Sequence, residues 1–330
     1  SDMLNQDDDK EENTLMTLPL YPLTEVYLPM STTGISHDTT IVNHTLNNVE
    51  PQNVKMALDL LSEAPENRRF CVVLRAMDTG RIASIGTILR IVDADIQKNF
   101  GDEIMRIRLT CQSEGLAEIT EVENGNGWRE KRLLRSEEYL RARLSPLDTT
   151  ESDKNDWQDS YRAITKDLRT IKVIYQLQLG SEDYPPDTLL RLGNEIRDFP
   201  ELPAGSGDAL LWELAQEWQS VCMTLRQGRQ ALLATERNEK MVEAACAYGG
   251  PLKLPIHMED LDPKSRLLVQ ELDQDFQYEH EESGMDPILD FQVLIGLGTT
   301  NRRFGLLQKL VARERLRLES IASSSSRLGS

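Results

Sequence analysis

The sequence predicts an α+β protein in which a β-rich N-terminal half is followed by an α-helical bundle. Three observations carry this reading. Between Leu18 and Leu147 the apolar residues fall in short β-rich runs, and Ile104, Arg106 and Arg108 alternate with Met105, Ile107 and Leu109 at a period of two. After Thr149 the period becomes helical: Trp157, Tyr161, Ile164, Leu168, Ile171 and Tyr175 recur at steps of four and three, on one stripe of a helix. Turn and cap signals punctuate both halves, with Asn124-Gly125-Asn126-Gly127 in the first and Asp262-Pro263 and Asp286-Pro287 in the second.

The elements follow in order. Residues 1–12 hold six acids against Lys10, a net of −5, and almost nothing apolar, so 1–15 is expected to be a disordered acidic tail opening on a vector-derived remnant, Ser1-Asp2-Met3. The β-rich subdomain is expected over 16–148, with strands at Glu25–Pro29, Thr39–Leu46, Phe70–Leu74, Ala83–Val92, Glu103–Thr110, Ala117–Val122 and Tyr139–Leu144. One helix interrupts it from Pro51 to Ser62, where Val54, Leu58 and Leu61 share a face. The helical subdomain is expected over 149–322. Its first helix closes at Gly180, a long one starts at Leu210 after Gly205-Ser206-Gly207, two more start at the Asp-Pro pairs, and a last runs from Asn301 to Ile321. Beyond it, Ser323–Ser326 opens a flexible tail, 323–330.

Composition narrows the function classes. The 330 residues carry a formal charge of −18, which opposes nonspecific attraction to nucleic acid or to anionic lipid. No apolar stretch approaches the ~18 to 20 residues of a membrane span, and no basic-then-apolar leader is present. Cys71, Cys111, Cys222 and Cys246 are scattered without a CxxC, which fits a reducing intracellular compartment, the cytoplasm first, or an organelle if a transit peptide was removed before Ser1.

Catalytic patterns are missing. There is no P-loop, GxSxG elbow or HExxH, and Gly296-Leu297-Gly298 lacks the third glycine of a dinucleotide fingerprint. Of His37, His44, His257 and His280, only the first two are close, seven residues apart, which is no recurrent ligand spacing. The ten acids against Lys264 and Arg266 between Glu259 and Asp286 lack the spacing of a calcium loop and read as a solvated face. No cofactor and no metal are expected. Two segments are locally basic, Trp128–Arg143 and the final helix, and either can contact phosphate or neutralise acidic parts of the same chain.

The N-terminal run Leu18-Pro19-Leu20-Tyr21-Pro22-Leu23, followed by Val26-Tyr27-Leu28-Pro29, resembles the opening LPLFPL…VVLPG of the Lon protease N-terminal, or substrate-binding, domain. Val49-Glu50-Pro51-Gln52 resembles the FEPRY that precedes that family's first helix. Phe70–Leu74 and Ala83–Ile91 are similar to its FGVVL…VAEVGTVARI, and Tyr139–Leu147 to its closing YLVARVEPL strand. These matches span about residues 16–148 in the family's order. Met30 departs by replacing a glycine, Ser31–Asn48 is longer and more polar, and Gln112-Ser113-Glu114-Gly115 follows in place of a compact strand.

The resemblance implies a Lon-type, PUA-like β subdomain with a helical subdomain behind it, without the ATPase and protease modules of Lon. It implies a non-catalytic module that binds a polypeptide substrate or partner protein, in substrate recognition or as an adaptor in proteolysis or protein quality control. Candidate contacts are Tyr21, Tyr27, Met30, Met56 and Met77, since aromatic and methionine side chains suit adaptable apolar recognition; core packing is the alternative for each. A second reading is RNA binding by the PUA-like half through Arg129, Lys131, Arg132 and Arg135. An unrecognised hydrolase is the third, and the oligomeric state is left open.

Overall fold

The computed structural model describes residues 15–29, 44–76, 79–125, 138–147, 157–177, 184–201, 207–247, 257–282 and 287–328. The chain divides into two units, Ser1–Thr150 and Glu151–Ser330.

The first unit is a strongly bent sheet of β1 (Met16–Leu23), β2 (His44–Asn48), β3 (Arg69–Arg75), β4 (Ile82–Lys98), β5 (Ile104–Val122) and β6 (Arg141–Pro146), with helix α1 (Pro51–Ser62). Strand order is β2-β5-β4-β3-β1-β6, and β5 also pairs with β6, so five strands close into a barrel and β2 lies outside it. β5 changes partners along its length: Ile107–Cys111 pair with β2, and Ala117–Val122 with β6. The sequence pattern predicts two strands here. A single strand forms because the polar residues between them are paired sideways. Glu114 receives Arg69 and Arg90, each at 2.7 Å, while Gln112 accepts from Arg90 at 3.0 Å. Gly115 takes φ +146°, and the register against β4 shifts beside it, from Ile88↔Gly115 to Leu89↔Ser113.

Glu25–Pro29 is another departure, since it joins no ladder. It is held instead by burial of Val26 and Leu28 and by a hydrogen bond from Thr87 Oγ1 to the Tyr27 carbonyl. β4 runs on to Lys98, and the β4–β5 ribbon ends in a turn tied by Asn99, whose Oδ1 accepts from Gly101 N at 2.8 Å and Glu103 N at 3.0 Å. Phe100 stands fully exposed at that tip.

Alternation along the strands builds two cores. Tyr21, Phe70, Val72, Leu89, Ile91, Ile107 and Leu109 face α1, which contributes Met56, Ala57 and Leu60. Leu20, Cys71, Val73, Ile88, Ala117, Ala142 and Leu144 form the other. In α1 the stripe Val54, Leu58 and Leu61 named by spacing is only partly buried and flanks the deeper face. Gly86 marks the tightest approach of β3 and β4, because a Cβ there would lie 2.5 Å from the Val72 carbonyl oxygen.

The second unit comprises α2 (Trp157–Gln176), α3 (Pro186–Glu195), α4 (Gly207–Ala247), α5 (Pro263–Glu282), α6 (Pro287–Gly296) and α7 (Thr300–Leu328). The α2 stripe from Tyr161 to Tyr175 is buried, and Trp157 stacks on Phe304 of α7 at 5.6 Å. Asp262 caps α5 as expected, its Oδ1 accepting from Lys264 N at 2.9 Å and Ser265 N at 3.2 Å. Asp286 lies outside the described residues. Helix α3, which the sequence pattern leaves as extra length, starts on Pro186 and packs through Gly193, whose carbonyl accepts from Gln176 Nε2 at 2.9 Å. α7 continues past Ile321 through the serine run, where Ser323 Oγ bonds back to the Glu319 carbonyl at 2.8 Å.

Candidate functional site

A cleft with about 240 Å³ of free space opens in the first unit where β1 and β6 part. The β1–β6 ladder runs from Met16↔Leu144 to Pro19↔Arg141, and its last bond is Leu20 N to the Leu140 carbonyl at 2.8 Å. Two residues further, the same register sets Glu138 opposite Pro22, which has no N–H to donate. The two chains therefore diverge. On its other side β1 stays paired with β3 as far as Leu23↔Leu74, so Leu20–Thr24 forms a firm floor. By the alternation that points Leu20 at β6, the Pro22 carbonyl faces the opening.

One wall is Glu138, Tyr139 and Leu140. The other is the β2–α1 junction, with Asn47, Val49, Glu50, Gln52 and Asn53, and Arg75 closes one side. The junction is locally rigid. Glu50 caps α1 in an extended conformation before Pro51, and its carbonyl accepts from Asn53 N at 3.0 Å and Val54 N at 2.9 Å. Its carboxylate Oε2 accepts from Gln52 Nε2 and from Asn53 Nδ2, each at 3.0 Å. Buried Asn48 fixes β2 by donating to the Ile107 carbonyl at 3.2 Å. On the opposite wall the Tyr139 hydroxyl donates to Asp59 Oδ2 at 3.1 Å, and Lys55 pairs with the other oxygen of Asp59. Partial burial, then that hydrogen bond to a carboxylate, raises the Tyr139 phenol.

The candidates read from the sequence distribute as follows. Tyr21 lies on the cleft floor but is 3% exposed, set edge-on against Phe70 with centroids 6.1 Å apart. Burial, and next the Glu50 carboxylate, push its phenol well above the ordinary value. Tyr27 is half-buried away from the cleft, edge-on to His44 at 5.0 Å, and burial pushes it up to about 12. Met56 is 1% exposed in the α1 core. Met30, Met77, Arg129, Lys131, Arg132 and Arg135 lie outside the described residues.

The residues that the sequence reading did not single out are Val49, Glu50, Gln52, Asn53 and Tyr139. In the sequence, Val49, Glu50, Gln52 and Tyr139 stand only within segments that carry the family resemblance, and Asn53 has no signal of its own. What they offer is mixed: apolar surface from Leu23, Val49 and Tyr139, and side-chain amides that both donate and accept as a peptide group does. Burial pushes the Cys71 and Cys111 thiols up to about 12, and neither residue lines the cleft. Among the described residues, no three His, Cys, Asp or Glu side chains gather as a metal site, and no helix is long and apolar enough to cross a membrane.

No protein-family model matches the sequence, and no curated protein sequence is similar to it. Many solved structures are similar, and two of them illustrate the likeness. One is a Lon N-terminal domain protein from Xanthomonas campestris, 15% identical with a TM-score of 0.34, the match covering 63% of this chain and 89% of that one. The other is the N-terminal domain of Mycobacterium avium complex Lon protease, 13% identical with a TM-score of 0.33, covering 64% of this chain and 98% of that one.

Proposed function

We propose that the first unit binds an extended stretch of polypeptide in the cleft between β1 and β6, as a non-catalytic recognition or adaptor module in proteolysis or protein quality control. The observation that carries this is the end of the ladder at Leu20 N to Leu140 O. Beyond it, backbone and amide side chains line an opening whose width no further strand of the described residues fills. The resemblance of the Leu18–Leu23 and Val49–Gln52 segments to the Lon substrate-binding domain supports the same reading, because both segments line the cleft.

The chemistry favours a groove over strand addition. An added strand needs alternating donors and acceptors along the edge, and Pro22 supplies only a carbonyl. Side chains of the ligand then rest on Leu23, Val49 and Tyr139, and its peptide groups meet Asn47, Gln52 and Asn53.

The test uses a reduced, carboxymethylated model protein as ligand, followed by fluorescence anisotropy. Val49, at 63% exposure, contributes little to folding, so Val49→Glu leaves the thermal midpoint in place and lowers affinity at least tenfold. Unchanged binding by this variant, or no binding by the parent chain, overturns the proposal.

A further inference from the structure

We infer that the cleft selects a cationic residue, a lysine or arginine side chain or a free α-amine with apolar neighbours on the same chain, and that Glu50 is the group that meets it. The inference rests on the cleft being the polypeptide site.

The cleft wall is rich in acceptors that nothing on it satisfies. Glu50 is exposed and lines the cleft, yet it makes no ion pair among the described residues. Its Oε2 takes the amides of both Gln52 and Asn53, which fixes the carboxylate and leaves Oε1 for an incoming donor. Gln52 repeats the theme independently. It is 7% exposed and lines the same wall, and its Nε2 is committed to Glu50 while its Oε1 has no hydrogen-bond partner. Across the floor, Pro22 adds a carbonyl without an N–H.

A neutral peptide brings donors and acceptors in equal number and leaves this surplus standing. An ammonium brings three donors and a guanidinium five, with no acceptor. The N-terminus of α1 softens the charge of Glu50, but its partial positive charge of about one half leaves the full carboxylate dominant. Arg75 and Glu138, also on the lining, carry one formal charge of each sign, so the formal charge of the lining is that of Glu50. The chain's net −18 adds attraction at long range.

The experiment compares three fluorescein-labelled, end-blocked pentapeptides, Val-Leu-Lys-Leu-Val and its versions with Met or Glu at the centre, on the full chain and on Glu50→Gln. The substituted amide keeps an acceptor oxygen for Gln52 and Asn53, and a thermal melt verifies the fold. The lysine peptide is expected to bind about five- to tenfold tighter than the methionine peptide at low salt, as one charge-assisted contact gives, with the glutamate peptide weakest. Glu50→Gln removes that preference and its salt dependence, so that the lysine and methionine peptides bind the variant alike. Equal binding of the lysine and methionine peptides, or a preference that survives Glu50→Gln, overturns the inference while the polypeptide site stands. Failure of all three peptides to bind overturns the site itself.

Discussion

Tyr175 donates its hydroxyl to Glu314 Oε1 at 2.9 Å in the interior of the second unit, tying α2 to α7. Glu314 is 2% exposed and is also held by Arg317, with Nη2 to Oε1 and Nε to Oε2, each at 2.8 Å. Burial first, and then the neighbouring carboxylate, hold the Tyr175 phenol far above its ordinary value, so it stays a donor throughout the accessible pH range. Removing the carboxylate strands two donors at once, one of them charged. Glu314→Ala is therefore expected to cost about 3 to 5 kcal/mol, and Tyr175→Phe only about 1 to 2 kcal/mol. Urea melts of the single and double variants check this. Losses that simply add would show that the hydroxyl and carboxylate are not coupled.

Gly86 gives the first unit an equally sharp test. A methyl group there meets the Val72 carbonyl oxygen, Val73 Cγ1 and Cys71 Sγ at 2.5 to 2.7 Å, and the backbone oxygen of a paired strand has no room to yield. Gly86→Ala is expected to destabilise the unit by about 1 to 3 kcal/mol, despite alanine's smaller backbone entropy loss. A thermal midpoint at or above that of the parent chain would contradict the packing described.

His44 makes stability depend on pH. Its Nε2 is buried without a partner beside Tyr27, and burial lowers its pKa below 6.5 even though a hydrogen bond with the Leu28 backbone opposes the shift. The unfolded chain therefore binds a proton at higher pH than the folded one. The stability this supplies is complete above pH 6.5 and drains away as pH falls from there toward the folded pKa. His44→Gln should flatten the stability profile of the first unit in that window. An unchanged slope would place the cause elsewhere.

Pro22 sets where the β1–β6 ladder stops. Pro22→Val restores an N–H at the position facing Glu138, so the ladder gains a rung and the cleft narrows. Hydrogen exchange should show the introduced amide protected, and polypeptide affinity should fall. Rapid exchange at that amide would mean that something other than the missing donor separates the chains.

How far the sequence exposed this arrangement varies by residue. The stripe from Trp157 to Tyr175 and the Pro51 helix start were readable because short-range spacing alone decides them. The long β5 was not, since Gln112–Gly115 reads as a loop until Arg69 and Arg90, distant in sequence, are set beside Glu114. Tyr21 and Met56 carried the right chemistry for contact, but burial in a core depends on which strand lies opposite. Pro22, Glu50 and Glu138 line one cleft from three separate stretches, and no periodicity links them.

The pairing of β1 also bears on how the chain is made. β1 needs β3 on one side and β6 on the other, and Met16 meets Leu144 only after well over a hundred further residues have been synthesised. During translation, then, β1 leaves the ribosome before β3 and β6 are made, and neither of these partners is there to pair with it. Such long-range closure is slow, on the order of milliseconds to seconds, and it leaves strand edges exposed to other chains until β6 arrives.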